Sequence, residues 1–347
     1  MKVTLKELAK EVDCDVSTVS RVLNNKPNRV SQKKRDCIFS VAKRMAYVVN
    51  RNGSNLASGK TRMIGVLVRS ITDRVYAEYI EKIDRYMTTK GYSIVPFITY
   101  DNQDRERQCL MSLQSHQVDA MICLNYTYEN EETYKRLQRG GGVLTFRGVD
   151  IKSSSIDFDT ALIDIGNAYY HLANHLFVRK CQKIGIVGGY IADEIARGEH
   201  AEYSADFEQA HREAGLVIRP EQGVPCENSQ DSAYTAVMNK LQKDPGCFDA
   251  LIVQNAQKIL GVYKALCDLG LRVPEDVKLC TISDLDFCRM LPVPITVWAQ
   301  PIDDICYSLG ELTMNRLNFP QTEVRKVSFN SKLIIRKSTG GKTKANT

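Results

Sequence analysis

The sequence predicts two parts of different fold class: a short all-α part at the N-terminus, and a larger α/β part with parallel, doubly wound sheets. Three observations lead to this prediction. Positive charge is concentrated in the first 60 residues, apolar residues there recur at helical spacing, and from residue 61 onward short apolar runs alternate with amphipathic helices. With 347 residues, the chain is long enough for two or three domains.

The charge of the chain divides unevenly along its length. Residues 1–60 hold 13 Lys and Arg against 5 Asp and Glu, a net charge of +8, whereas the rest of the chain, which we call the body, has a net charge of −2. A basic N-terminal module attached to a nearly neutral body is typical of a protein that binds nucleic acid and has a separate second function.

Several classes of protein are excluded by what the sequence lacks. No run approaches the ~20 apolar residues of a membrane span, and the N-terminus has no apolar stretch that could act as a signal peptide. None of the eleven cysteines forms a CxxC pair, and Gly188-Gly189 lacks the spacing of a nucleotide-binding loop. No catalytic constellation is clustered in the sequence. We therefore expect a cytoplasmic protein that is not an enzyme, with no catalytic residue, no metal, no cofactor and no membrane contact.

Helical spacing and capping signals predict three helices in residues 1–46, which we call the headpiece. Thr4 and Glu7 form a capping box at the start of the first helix. The second helix begins at Val16, after a tight turn over residues 13–15, and Ser31 starts the third. Two short helices joined by a three-residue turn and closed by a third describe a helix-turn-helix. A small helical bundle with a solvated polar face would give the same pattern.

The second helix has side chains suited to a DNA groove. Its apolar face is narrow, and its remaining positions carry short hydroxyl groups and one arginine. Hydroxyls allow close approach to phosphates, and Arg21 can bond a guanine edge bidentately. The polar side chains are Ser17, Thr18, Ser20, Arg21 and Asn24. The charge excess of the headpiece favours DNA binding over the solvated bundle.

Two stretches of the headpiece resemble the N-terminal domain of lac-repressor-type (LacI/GalR) transcription regulators: residues 3–10, VTLKELAK, and residues 15–24, DVSTVSRVLN. The resemblance covers nearly the whole chain, because residues 184–189, 269–277 and 296–301 match the effector domain of the same family. That domain shares its two-lobed fold with periplasmic sugar-binding proteins. The resemblance therefore implies an all-α helix-turn-helix headpiece followed by a periplasmic-binding-protein-like α/β domain.

The resemblance also implies where the parts begin and end. The headpiece would span residues 1–46, a hinge residues 47–60, and an effector-binding and dimerisation domain residues 61–347. Within that domain the N-lobe would comprise about residues 61–160 and 290–320, and the C-lobe about residues 161–289 and 321–340. Two chains would pair through both lobes, so that a homodimer presents two headpieces.

The resemblance assigns DNA contacts to particular positions. Val16, Ser17 and Arg21 would read bases in the major groove, with Thr18 beside them, and Leu56 would be the wedge that the family inserts into the minor groove from a hinge helix. Contacts to phosphates would come from Thr4, Ser20, Asn24, Ser31 and Asn50. The hinge departs from the family pattern at Val49 and Gly53. Because a glycine inside a helix costs about 1 kcal/mol relative to alanine, we expect this hinge helix to be harder to order.

The resemblance places an effector between the two lobes, against Ser70, Asp73, Tyr76, Asn125, Arg147, Tyr203, Asn255 and Ser283. Three acidic positions of the family are lost there, and arginines stand at positions 69, 74 and 147. Exchanging acids for arginines favours an anionic ligand, such as a sugar acid or a phosphorylated sugar. The alternative is that these arginines face solvent or bridge the lobes and that the effector is an uncharged sugar. The loss of the family's arginine at position 203 favours this alternative.

The sequence thus predicts a homodimeric transcription regulator, a repressor, that binds a double-stranded DNA operator and responds to a sugar-like small molecule, neutral or anionic. Two other functions remain open. A DNA-binding regulator with no effector would explain the divergent cleft residues. A solute-binding protein of a transport system is disfavoured, because it would carry a signal peptide and no headpiece.

Overall fold

The computed structural model describes residues 3–23, 27–47, 60–115, 117–149, 157–163, 166–198 and 204–341. The chain divides into two compact units, Met1–Thr61 and Arg62–Thr347. The first unit contains the headpiece and the second is the body. Most of the predicted hinge, residues 48–59, lies outside the described residues, so the predicted hinge helix stays a prediction.

Three helices form the headpiece, as predicted: α1 (Leu5–Glu11), α2 (Val16–Leu23) and α3 (Gln32–Arg44). Asp13 takes a left-handed backbone conformation with φ of 49°, which allows the chain to turn between α1 and α2. The Ser31 hydroxyl accepts a hydrogen bond from the Lys34 backbone N–H at 3.4 Å and so caps α3. Local sequence signals therefore determine where these helices begin.

The core of the headpiece is small and is built from one stripe of each helix. Leu8, Val19 and Ile38 are fully buried and pack together. Lys34 on α3 donates a hydrogen bond to the Val12 carbonyl at the end of α1, with an Nζ–O distance of 2.7 Å. Cys37, which the apolar pattern would place in the buried stripe of α3, is exposed, because the buried face of that helix centres on Ile38.

The body contains two six-stranded sheets, which define its two lobes. The strands of the N-lobe sheet are all parallel and lie in the order β11-β5-β4-β3-β1-β2. They are β1 (Met63–Val68), β2 (Ser93–Ile98), β3 (Ala120–Cys123), β4 (Val143–Val149), β5 (Asp159–Ile163) and β11 (Lys326–Phe329).

The C-lobe sheet has the same arrangement, with strand order β12-β10-β9-β8-β6-β7. It is parallel except for the β10–β12 pair, which is antiparallel. Its strands are β6 (Ile184–Val187), β7 (Gly223–Val224), β8 (Ala250–Val253), β9 (Lys278–Ile282), β10 (Thr296–Ala299) and β12 (Lys332–Ile334). The predicted fold class, a two-lobed α/β domain with parallel sheets, is confirmed.

Helices cover both faces of each sheet. Along β1, Ile64 and Val66 pack on one face, whereas Leu67 packs in a separate core on the other face. The C-lobe sheet is covered in the same way, with Leu251 and Ile252 in two different cores. The helices of the body are α4 (Arg74–Thr89), α5 (Gln103–Gln114), α6 (Glu131–Arg139), α7 (Gly166–Val178), α8 (Gly189–Arg197), α9 (Ala205–Glu213), α10 (Gln230–Lys243), α11 (Ala256–Asp268), α12 (Asp286–Met290) and α13 (Ile302–Asn318).

The strands place the lobe boundaries several residues from the approximate positions predicted near residues 160, 290 and 320. The chain passes between the sheets after β5, between β10 and α13, and between β11 and β12. The reason lies in strand pairing. Strand β5 pairs with β4 and β11 in the N-lobe, whereas β10 pairs with β9 in the C-lobe. The N-lobe thus extends to residue 163 and includes residues 302–329, and the C-lobe includes residues 166–299 and 332–341.

Candidate DNA-binding helix and inter-lobe site

The outward face of α2 carries most of the predicted groove contacts. Val16 is 39% exposed, Ser17 and Arg21 are exposed, and Thr18 and Ser20 are half-buried. Val19 and Val22 on the opposite side of the same helix are fully buried. This division fixes which face of α2 is available to a ligand, and it is the face with the hydroxyls and the arginine.

The positive charge around Arg21 is unbalanced. Thr18, Arg21, Asn28 and Arg29 line a shallow groove of about 580 Å³ together with Pro27 and Val30, and no carboxylate is among these lining residues. Arg21 and Arg29 form no ion pair within the described part of the chain. Two uncompensated guanidinium groups beside hydroxyls are suited to a polyanion such as DNA. Arg29 was not among the predicted DNA contacts.

Two of the predicted phosphate contacts are helix N-caps. Thr4 forms the predicted capping box: its backbone N–H and hydroxyl donate to Glu7 Oε2 at 2.7 and 2.9 Å, and its hydroxyl accepts from the Glu7 N–H at 3.3 Å. These hydrogen bonds hold the pKa of Glu7 below its usual range. Thr4 and Ser31 are both exposed. Three further predicted DNA contacts, Asn24, Asn50 and Leu56, lie outside the described residues, as does Tyr203 in the body, and stay predictions.

A cluster of charged and aromatic side chains lies where the N-lobe strands end, the edge at which parallel sheets bind ligands. Asp73 caps α4 by accepting from the Val75 N–H at 3.0 Å, and it also accepts a hydrogen bond from Arg69 at 3.2 Å. The guanidinium of Arg69 lies 3.6 Å from Asp101 and packs over the ring of Tyr76, 5.5 Å from its centroid. The charge of Arg69 is therefore balanced by two carboxylates.

Arg147 has a different environment. Its Nε donates to the Tyr79 hydroxyl at 3.2 Å, its Nη1 to the Leu124 carbonyl at 3.4 Å, and its Nη2 to Gln300 Oε1 at 3.4 Å. All three acceptors are neutral, because burial raises the pKa of Tyr79 to about 12 and keeps its hydroxyl protonated. The guanidinium also lies over the Tyr79 ring, 5.2 Å from its centroid.

A chain of hydrogen bonds connects the two lobes at this point. Asn228 of the C-lobe donates to Asp73 Oδ2 of the N-lobe at 3.4 Å, and Asn255 donates to Asn228 Oδ1 at 2.7 Å. Asn255 precedes α11 and follows β8, so it stands at the ligand-binding edge of the C-lobe sheet. The strand ends of the two sheets therefore face each other across one site, which we call the inter-lobe site.

The C-lobe contributes a buried lysine to this site. Lys258 is 2% exposed, and its ammonium group donates to Gln254 Oε1 at 2.7 Å. Burial lowers the pKa of Lys258, and Arg69 across the site lowers it further. Its side chain lies against Gly188, where a Cβ atom would be only 2.8 Å from Lys258 Cε. A Cβ atom at Gly189 would likewise collide with the side chain of Gln254. The paired glycines thus make space for these two side chains.

Comparisons with known proteins find matches to both units. Residues 4–50 match bacterial regulatory proteins of the lacI family, and residues 173–339 match a periplasmic binding protein-like domain. The headpiece thus matches the lacI-family domain, and the body contains a periplasmic binding protein-like domain. Catabolite control protein A of Priestia megaterium is 28% identical over 341 residues, which span 98% of this chain and 100% of that protein. The HTH-type transcriptional repressor PurR of Escherichia coli O139:H28 is 25% identical over 343 residues, 96% of each chain.

Solved structures of lacI-family proteins share the fold. The lac repressor dimer bound to operator and the anti-inducer ONPF has a TM-score of 0.79 at 19% identity, covering 98% of this chain and 99% of that one. A LacI-family regulator from Enterococcus faecium with bound ribose has a TM-score of 0.67 at 21% identity, covering 80% and 98%. At these identities the likeness shows the two-lobed fold.

The body brings together most, but not all, of the predicted effector contacts. Asp73, Tyr76, Arg147 and Asn255 belong to the inter-lobe site, and Asn125 adjoins it, because Arg147 donates to the carbonyl of the preceding residue. Two predicted residues have no described contact with this group. The hydroxyl of Ser70 bonds Thr72 at 2.8 Å, and Ser283 is buried with a φ of 76° beside β10.

Four residues of the inter-lobe site escaped the sequence analysis: Tyr79, Asn228, Lys258 and Gln300. Gln300 lies within the matching stretch 296–301 and could have been found there. Lys258 stands in the first turn of an amphipathic helix, where a lysine normally faces solvent. Its burial depends on the fold, which brings Gly188 against its side chain.

Arg74, the third arginine of the anionic hypothesis, does not belong to the inter-lobe site. It lies over the ring of Phe287, 5.7 Å from the centroid, and lines a groove of about 740 Å³ along α4 and α12. Carboxylates and cations alternate in that groove, for example Glu78 and Asp286 near Arg74. The hypothesis therefore narrows to Arg69 and Arg147 within the site.

Within the described residues, no group of three or more His, Cys, Asp and Glu side chains could hold a metal ion. No helix in the same part of the chain is long and apolar enough to cross a membrane.

Proposed function

We propose that this protein is a homodimeric, sequence-specific repressor of transcription whose affinity for operator DNA is set by a small molecule in the inter-lobe site. The observation that carries the proposal is the exposed face of α2, where Arg21 stands among hydroxyls in a headpiece that matches the family. The relatives support it: one is named a transcriptional repressor, and another was solved as a dimer on its operator.

In this proposal Arg21 bonds a guanine edge in the major groove, while Val16, Ser17 and Thr18 contact neighbouring bases. Thr4, Ser20, Asn24, Ser31 and Asn50 hold phosphates, and Leu56 enters the minor groove. One headpiece reads one half-site, so a dimer reads a near-palindrome. Such a protein acts where the chromosome is, in the cytoplasm, and performs no catalysis.

The effector occupies the inter-lobe site. Asp73, Tyr76, Asn125, Arg147 and Asn255 contact it, and Ser70, Tyr203 and Ser283 stay further candidates. A ligand that binds one arrangement of the lobes better than another shifts the equilibrium between them and with it the operator affinity. A sugar-like compound is favoured because the Enterococcus faecium structure contains ribose. The body is the part that pairs two chains.

Selection of bound duplexes from a random pool tests the DNA-binding function. The full-length chain should enrich a near-palindrome whose half-site centres lie about 10 base pairs, or a multiple of that, apart. Arg85→Gln is the control, since Arg85 is exposed on α4 and pairs with Glu81; it should enrich the same sequence. Recovery of unrelated sequences from repeated selections would refute sequence-specific binding.

A DNA-binding regulator without an effector is the alternative function. It would bind the enriched duplex with the same affinity in the presence and absence of the small-molecule fraction of a cell extract. The proposed function expects this fraction to change the operator affinity. Because allosteric couplings are about 1–3 kcal/mol, the change should be about 5- to 150-fold.

A further inference from the structure

Two cations of the inter-lobe site have no carboxylate within ion-pair distance in the described part of the chain. Arg147 bonds only a phenol, a peptide carbonyl and a side-chain amide, and Lys258 bonds only the amide of Gln254. Asp73 and Asp193 act on Lys258 from a greater distance. Cations withdrawn from water, wholly for Lys258 and partly for Arg147, are normally paired, so an unpaired one indicates a missing anion.

The remaining hydrogen-bonding capacity of Arg147 suits an oxyanion. A guanidinium has five N–H donors, and the three bonds to Tyr79, Leu124 and Gln300 use one donor on each nitrogen. One donor is left on each of the two terminal nitrogens, and guanidinium donors bind carboxylate or phosphate in charge-assisted hydrogen bonds. The side chain is only half-buried, so a ligand in the site can reach these donors.

Two buried acceptors in the same region also lack partners. Asn125 Oδ1 and Asn255 Oδ1 are removed from solvent and receive no hydrogen bond from the described residues. Each asparagine uses its other amide atom, toward Thr99 and Asn228 respectively. Buried acceptors require donors, and the hydroxyls of a polyol are donors of the right kind.

We infer that the ligand of the inter-lobe site is a polyhydroxylated compound with an acidic oxyanion group, a carboxylate or a phosphate, and that Arg147 binds this group. Lys258 supplies a second positive charge from the opposite lobe, and Asn125 and Asn255 accept hydroxyls. The inference rests on the proposed function in one respect, since it takes this site as the effector site.

Two other charged regions of the body contain carboxylates that balance their arginines. Arg69 is engaged by Asp73 and Asp101, and the groove beside Arg74 contains carboxylates of its own. Neither place has the uncompensated charge of Arg147. The inference therefore concerns one arginine, and the adjacent Arg69 provides a comparison within the same site.

Thermal unfolding of the full-length chain tests the inference without knowledge of the natural ligand. The probes are inorganic phosphate and acetate, each compared with chloride at the same ionic strength, and the two probes distinguish a phosphate from a carboxylate site. Wild type, Arg147→Gln, Arg147→Lys and the control Arg85→Gln are measured. The Tm of each variant in phosphate or acetate is compared only with the Tm of the same variant in chloride. A change in intrinsic stability caused by the substitution therefore does not affect the comparison.

At ten times its dissociation constant a bound anion should raise the Tm of the wild type by about 3–6 °C. The rise should be the same in Arg85→Gln, smaller in Arg147→Lys, which keeps the charge without the fork, and absent in Arg147→Gln. An equal rise in Arg147→Gln and wild type, or no rise with either probe, would overturn the inference. Calorimetric titration of the same samples measures the binding directly.

The same samples separate this inference from the proposed function. If no operator can be selected but phosphate or acetate binds through Arg147, the inference about the ligand stands and the DNA-binding function fails. If an operator is selected but neither anion binds, the repressor function stands and the oxyanion site is wrong.

Discussion

Arg21 in the headpiece and Arg147 in the body are both arginines without an ion-pair partner in the described structure, but the chain builds their surroundings in different ways. Arg21 is exposed on an eight-residue helix. The hydroxyl side chains around it come from positions close to it in the sequence. Arg147 is half-buried, and its three hydrogen-bond partners come from positions 79, 124 and 300.

The difference corresponds to the ligands that the two sites would bind. DNA presents a continuous row of phosphates, so exposed charges on one short helix are sufficient to contact it, and salt screens them. A small molecule has one or two charges at most. It is recognised when buried donors and acceptors from several segments converge on it, which requires the whole two-lobed body.

The substitution with the largest expected effect should destabilise the headpiece and leave the stability of the body unchanged. Leu8→Ala removes a fully buried side chain from the small headpiece core, and such changes cost about 2–5 kcal/mol. Because small domains are marginally stable, the headpiece should unfold and operator binding should be lost. The unfolding transition of the body, followed by calorimetry, should not move.

Leu5→Ala is the matched control for this prediction, because Leu5 lies on the same helix but is only half-buried. It should cost less than Leu8→Ala. A shift of the body transition in Leu8→Ala would show that the two units do not unfold independently.

At pH values above the carboxylate range, acid should affect the body more than the headpiece, which has no histidine. His175 is buried, bonds Thr339 at 2.8 Å, and has its pKa lowered by burial from 6.5 to about 4. Above pH 6.5 the ring is neutral in both folded and unfolded chains. Between pH 6.5 and about 4 only the unfolded chain takes up the proton, so the body should lose about 3 kcal/mol of stability as the pH falls through this range.

Chemical denaturation of wild type and His175→Gln between pH 7 and pH 4 measures this loss. The variant should lose less stability on acidification. It should not lose all acid sensitivity, because burial also lowers the pKa of His211. Parallel pH profiles for the two proteins would show that His175 does not titrate as its surroundings predict.

A smaller effect is expected at the start of α1. Thr4→Ala removes both side-chain hydrogen bonds of the capping box and should destabilise the headpiece by about 1 kcal/mol. Ser17→Ala is the control, since it also removes an exposed hydroxyl and should change stability by less than about 0.5 kcal/mol. Helical circular dichroism of the headpiece during denaturation distinguishes the two. Equal effects would mean that the capping box contributes nothing.

The contrast between the headpiece and the body also explains which helices and strands could be predicted from the sequence. The helices of the headpiece were predicted from contiguous signals, the capping box at Thr4, the turn at Asp13 and the cap at Ser31, and the structure has all three. In the body, seven strands stand out in the sequence as apolar runs, namely β1, β2, β3, β4, β6, β8 and β9. The other five strands of the described residues were missed, among them Lys326–Phe329, which has only four residues and mostly exposed side chains.

The lobe boundaries and the inter-lobe site were harder to predict, because both depend on contacts between segments that are distant in sequence. Which sheet a strand joins is decided by its pairing partner, and β5 and β11 are more than 160 residues apart in sequence. Lys258 and Gln300 become site residues only when distant segments meet. The residue types at Asp73, Arg147 and Asn255 were informative because they were compared with a family pattern, and periodicity alone would not have singled them out.

Competition binding by the full-length Arg21→Ala variant tests the central claim most directly. Its affinity is measured on the selected operator and on a scrambled duplex at the same salt concentration. We predict a loss of about 1–3 kcal/mol on the operator, a much smaller loss on the scrambled duplex, and an unchanged Tm. Equal losses on both duplexes, or unchanged operator affinity, would contradict the claim that α2 reads DNA sequence through Arg21.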